Sequence, residues 1–156
     1  MKVLHINNYY TLGDELVLYL DIESLLCYTK HEVSILHIEF YHGDRIVASI
    51  EADFYNKTVT DYQTFVRDIQ LLPFGVWMHP TYAELIEYFK TRCWEPTRPD
   101  IEALLSKLNI ETYDVVEIVK RTHGRKSNDN FWMKFDNEDL DYDKIRTGST
   151  KGSKNH

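Results

Sequence analysis

The side chain best surrounded for nucleophilic chemistry is Cys93, because Lys90 and Arg92 lie just before it and nearby cations lower a thiol pKa. A nucleophile also needs a base and a third group that orients the base. No Ser, His or Asp pattern supplies that pair, and Cys93 precedes Trp94 at the end of an amphipathic segment, the setting of a half-buried packing residue. The 7 histidines raise the question of a metal, since neutral imidazole is a common ligand. His31, His37 and His42 fall in or beside one predicted hairpin, but no His-Glu-x-x-His, Cys-x-x-Cys or paired Cys/His spacing accompanies them. The 6 glycines are scattered and form no phosphate cradle. No catalytic set, metal site or cofactor site is therefore expected, and the chain reads as a non-enzyme.

Charge offers two further groups. The formal net charge of -7 is uneven: residues 1 to 75 carry 5 Lys/Arg against 11 Asp/Glu, and residues 76 to 156 carry 13 against 14. In the acidic half, Glu39, Glu51 and Asp53 alternate along two predicted strands and should share the solvent face. In the other half, Lys120, Arg121, Arg125 and Lys126 cluster around His123, as at a helix C-terminus, and could contact a phosphate or an acidic partner. His123 itself is expected to hydrogen-bond the open carbonyls of that helix end. With 3 Trp and 11 Tyr, the chain is also rich in the aromatic residues that interfaces favour.

These side chains need a scaffold, and the pattern supplies one of α+β class. Lys2 to Ile6 and Glu15 to Leu20 are predicted strands, followed by a hairpin of Val33 to Tyr41 and Arg45 to Phe54 around His42-Gly43-Asp44. From Thr60 the apolar spacing of Tyr62, Phe65, Val66 and Ile69 predicts a helix. A second helix carries Leu85, Ile86, Tyr88 and Phe89, with Pro80 in its first turn. A third has Thr97 as cap, Pro99 just inside and Ile101, Leu104, Leu105 and Leu108 as its buried stripe. Tyr113 to Thr122 predicts a fourth, stopped by Gly124. Phe131 to Phe135 reads as a returning strand and Asp139 to Ile145 as a helical turn. The expectation is one domain over residues 1 to 146: a β-rich part, 1 to 75, whose antiparallel sheet packs against three to four helices of 76 to 146, with a disordered tail from 147 to 156. No apolar run reaches the ~18 residues of a membrane span and Cys27 and Cys93 suit reduced thiols, so a cytoplasmic protein is expected.

The second half has a grammar of its own. It runs Phe89-Lys90-x-Arg92-Cys93-x-x-Pro96-x-Arg98, then Leu104-Leu105-x-x-Leu108-x-Ile110, Thr122-His123-Gly124, Asp129-x-x-Trp132-x-Lys134 and Leu140-x-Tyr142-x-x-Ile145. This order resembles the small accessory segment associated with HipA-like kinases, and standalone proteins of phages and conjugative elements in low-GC bacteria. The resemblance implies an accessory module, since the chain has neither the Gly-rich loop nor the His-Arg-Asp and Asp-Phe-Gly elements of a kinase.

The function expected from these readings is that of a protein-binding inhibitor or regulator carried on a mobile element, its partner a HipA-like kinase or a host defence protein. Arg92, Trp94 and Arg98 at the helix junction join the acidic trio and the basic cluster as candidate contact residues. One alternative is an acidic nucleic-acid mimic that inhibits a CRISPR effector nuclease through Glu39, Glu51 and Asp53. A second is a helix-turn-helix regulator built on the Tyr82 to Thr91 and Thr97 to Leu108 pair, although direct nucleic-acid binding is disfavoured by a second helix bearing Asp100, Glu102 and only Lys107 besides Arg98.

Overall fold

The computed structural model describes Tyr9–Leu12 and Glu15–Leu18 as backbone and residues 35–147 in full. The chain divides into two compact units, Met1–Ile35 and Leu36–His156. In the first unit, β1 (Tyr9–Leu12) pairs antiparallel with β2 (Glu15–Leu18), Tyr9 standing opposite Leu18 and Leu12 opposite Glu15. The predicted strand over Lys2 to Ile6 lies outside the described residues.

The second unit is an α+β fold built on a four-stranded antiparallel sheet, with β3 (Ile35–His42), β4 (Arg45–Asp53), β5 (Thr58–Thr64) and β6 (Phe131–Phe135) in the order β5-β4-β3-β6. The β3-β4 hairpin forms where Gly43 was expected to turn the chain, and Gly43 takes a φ of 59°, the left-handed region glycine enters at little cost. β6 returns from the far end of the unit to pair with β3, Phe40 opposite Met133 and Tyr41 opposite Trp132. Val47, Ala48, Ser49 and Ile50 are all buried, so neighbouring side chains on opposite faces of β4 are both withdrawn from water. The expected single wet face is thus only partly wet.

Residues from Thr60 are strand, not helix. Thr58-Val59-Thr60-Asp61-Tyr62-Gln63-Thr64 is dense in β-branched side chains, and pairing with β4 overrides the apparent helical spacing. A bulge at the Glu51/Ala52 step sets Val59 opposite Ala52 and Tyr62 opposite Ile50. Three residues apart in sequence, Val59 and Tyr62 both pack against the core. A three-residue apolar spacing therefore arises inside a strand.

The helices follow a short 3-10 turn at Ile69–Leu71. α1 (Tyr82–Thr91) is started by Thr81 and Glu84: Glu84 N–H donates to Thr81 Oγ1 at 3.3 Å and Thr81 N–H to Glu84 Oε2 at 2.6 Å. This reciprocal cap places Pro80 before the helix rather than in its first turn. α2 (Ile101–Lys107) starts at Asp100, beyond Thr97 and Pro99, and buries only Leu105 of the expected stripe. Arg98 holds the Asp100 carboxylate, which gives the helix no side-chain cap. α3 (Val115–Thr122) is capped by Asp114, which accepts from Glu117 N–H at 2.9 Å, so Tyr113 stands outside it. α4 (Tyr142–Thr147) ends the described chain and includes the first residue of the expected tail.

The core lies between the sheet and α1 and α3. Ile38, Phe40, Ile50, Met133 and Phe135 of the strands meet Leu85 and Phe89 of α1 and Val119 of α3. Phe74, from the connection before α1, stands edge-on to Phe40 and Tyr62, with ring centroids 5.9 and 5.3 Å apart.

Candidate functional site

Arg92, at the end of α1, has its side chain 8% exposed and every guanidinium nitrogen bonded inside the unit. Nε donates to the Gly124 carbonyl at 2.7 Å, Nη1 to Asp129 Oδ2 at 2.7 Å, and Nη2 to Asp129 Oδ1 at 2.8 Å and the Phe131 carbonyl at 3.1 Å. This fork ties α1 to the end of α3 and to the start of β6. The hydrogen bonds from Arg92 outweigh partial burial and hold the Asp129 carboxyl below the usual carboxylate range.

His123 and Gly124 complete the junction. His123 is buried, with a φ of 54°, and its carbonyl accepts from Met133 N–H at 2.8 Å. Its Nδ1 lies 3.1 Å from the Met133 carbonyl, which can only accept, so that nitrogen carries the proton. The expected bond to open helix-end carbonyls is thus replaced by a two-way bond to the edge of β6. Gly124 follows at a φ of 61°, and a Cβ there would lie 2.1 Å from Met133 Cε.

The rest of the motif is also committed to the fold. Trp132 is buried, stacks on Tyr41 with centroids 4.5 Å apart and donates Nε1–H to the Gly43 carbonyl at 2.9 Å. Lys134 pairs with Glu39 at 2.9 Å. Trp94 is half-buried, and its carbonyl accepts from the Tyr113 hydroxyl at 2.7 Å. Arg98 is exposed and engaged with Asp100.

The structure does not gather the acidic trio on one open surface. Partial burial raises the Glu39 carboxyl, but hydrogen bonds from Lys134 and Tyr41 outweigh it and leave the group below its ordinary value. His37 lies 3.8 Å from Glu39 and 3.6 Å from Glu51, so these two acids do share a face. Asp53 is 4% exposed and accepts from the backbone of Tyr55 and Asn56 at 3.0 and 2.9 Å, organising the turn after β4. The basic cluster also divides. Lys120 stands 3.8 Å from Glu117 on α3, Arg121 is exposed, and Arg125 donates to the Ile145 carbonyl at 2.6 Å, with Lys126 beside it.

Cys93 is half-buried; burial, with Asp114 nearby, pushes its thiol up to about 11, which favours the protonated form at neutral pH. Among the described residues no three His, Cys, Asp or Glu side chains are placed to hold a metal ion, and no helix is long and apolar enough to cross a membrane.

One run of exposed apolar residues was missed from the sequence. Between β5 and α1, Phe65, Ile69, Val76, Trp77 and Met78 are exposed, the last three consecutively at 68%, 64% and 52%. The signal lay in Leu-Leu-Pro-Phe-Gly-Val-Trp-Met, where Pro and Gly break the regular pattern and leave the apolar residues after them outside any element. With this geometry the chain is an α+β protein; no protein-family model, curated protein or solved structure matches it.

Proposed function

We propose that the chain is a non-enzymatic protein-binding module, an inhibitor or regulator carried on a mobile element, which grips its partner through the connection between β5 and α1. The observation that carries this reading is the exposure of Val76, Trp77 and Met78 in succession. Burying each large apolar side chain against a partner contributes about 1.5 to 3 kcal/mol, and Trp is the residue most enriched at interface hot spots. The resemblance to the accessory segment of HipA-like kinases supplies the first partner to try, and a host defence protein the second.

The acidic-mimic alternative draws less support, because Glu39 is paired with Lys134 and Asp53 is buried in a turn, leaving Glu51 the most exposed of the three acids. The helix-turn-helix alternative is weaker still, since α2 has seven residues and presents Glu102, Ser106 and Lys107 to solvent.

The test is calorimetric titration with a purified HipA-like kinase, or a defence nuclease, from the genome that carries this gene. A Trp77→Ala, Met78→Ser double variant alters exposed side chains and should melt like the parent. Its affinity should fall at least tenfold. Binding of either partner at parental strength by this folded variant overturns the proposed surface.

A further inference from the structure

Behind the Arg92 junction lies a small cleft, about 190 Å³, lined by Arg125, Lys126, Asn130, Phe131, Tyr142 and Arg146, with Asp129 at its wall. Asp129 is the acid that lines the cleft, and the Arg92 fork engages both of its oxygens. Arg146 has a loose contact to Asp143 at 3.6 Å, the two side chains 61% and 85% exposed. Three cations, Arg125, Lys126 and Arg146, thus line the cleft against one lining carboxylate, Asp129, which Arg92 already engages. In a chain of net charge -7, this cleft keeps a local positive excess.

The donors are only partly used. Arg125 gives one Nη1–H to the Ile145 carbonyl, and among the described residues its Nε and Nη2 have no partner. Lys126 makes neither a hydrogen bond nor an ion pair among them. Asn130 Oδ1 accepts from the Tyr142 hydroxyl at 2.8 Å, which leaves its Nδ2 without a partner among the described residues. Arg, Lys and amide donors around a concave site are the groups that take a phosphoryl oxygen.

Size and charge narrow the ligand. The volume is below the ~300 Å³ at which pockets begin to enclose a drug-sized molecule, so the cleft admits a phosphoryl group and leaves the rest of its carrier outside. A polynucleotide is disfavoured, because its affinity depends on neutralising many phosphates and the chain as a whole is acidic. We infer that this cleft is a binding site for the phosphoryl group of a small phosphate ligand, held by Arg125, Lys126 and Arg146 and flanked by Asn130 and Tyr142.

The test titrates the full chain with inorganic phosphate and with adenosine monophosphate. Saturable binding of either is expected; tighter binding of the monophosphate identifies an ester ligand, and equal binding identifies the free ion. The Lys126→Gln, Arg146→Gln pair, which breaks only the loose Asp143 contact, should weaken that binding at least tenfold with an unchanged melting temperature. A Lys120→Gln, Arg121→Gln pair removes the same charge elsewhere and should leave it intact. Absence of saturable binding by the parent, or equal loss in the two paired variants, overturns the site. Tighter binding of a single-stranded oligonucleotide or a phosphopeptide, lost in the Lys126, Arg146 pair, also overturns it in favour of a macromolecular ligand.

Discussion

Arg92 shows what a single side chain has to satisfy in this fold. A lysine at that position keeps the charge but has one nitrogen, and cannot serve two carboxylate oxygens and two carbonyls in a planar fork. Arg92→Lys is therefore expected to destabilise the protein by about 3 kcal/mol, the lower end for breaking a buried pair, because Asp129 is 28% exposed. Urea denaturation measures the loss. Because the folded Asp129 pKa is lowered, the stability it lends is present above the ordinary carboxylate value and disappears as pH falls through the lowered one. An Asp129→Asn variant should begin less stable and lose less than the parent on acidification below about pH 4. Tyr62 presents the opposite case: its hydroxyl is buried with no hydrogen-bond partner among the described residues, and burial pushes its pKa up to about 12. Tyr62→Phe keeps the ring against Phe74 and removes the orphan group, so thermal melting should rise by about 2 to 4 °C, matching roughly 1 kcal/mol. A fall in melting temperature would show that the hydroxyl is bonded.

The elements divide into those that sequence spacing reveals and those that tertiary pairing decides. The β3-β4 hairpin, α1, α3 and β6 were legible because their apolar residues repeat at the period of the element and end at Gly, Thr or Asp. β5 was not, because the apparent helical spacing joined Tyr62 of the strand to Phe65, Val66 and Ile69, which lie beyond its end. The motif Thr122-His123-Gly124 was visible, but its partners in β6 lie about ten residues on and those in α1 about thirty residues back, and no local pattern names them. For the same reason Arg92 looked available for a partner when the fold already uses it. The joint between α3 and β6 yields its own prediction. Gly124→Ala must hold a φ of 61° at a cost of about 1 to 2 kcal/mol, and must also displace the buried Met133 methyl. The variant should lose at least that much in denaturant unfolding, and the same glycine change should cost less in a Met133→Ala background, where the obstructing atom is gone, than in the parent. If the second change only adds to the first, the two residues do not clash.

At the scale of the whole molecule, a net charge of -7 and a short apolar loop suggest two different forces for meeting a partner. If exposed acids steer and hold the complex, affinity must fall as salt screens them, the screening distance shrinking from ~10 Å at 0.1 M to ~3 Å at 1 M. If Trp77 and its neighbours carry the energy, burial of apolar surface persists in salt. The exposure of that loop, and the internal pairing of Glu39 and Asp53, favour the second. Affinity for the proposed protein partner, measured across that salt range, should change less than tenfold. A Glu39→Lys, Glu51→Lys variant, once its fold is verified, should bind within a few-fold of the parent, because neither acid lies in the loop. A steep fall with salt, together with loss of binding in that charge-reversed variant, would transfer the interface to the acidic sheet and restore the nucleic-acid mimic as the better account.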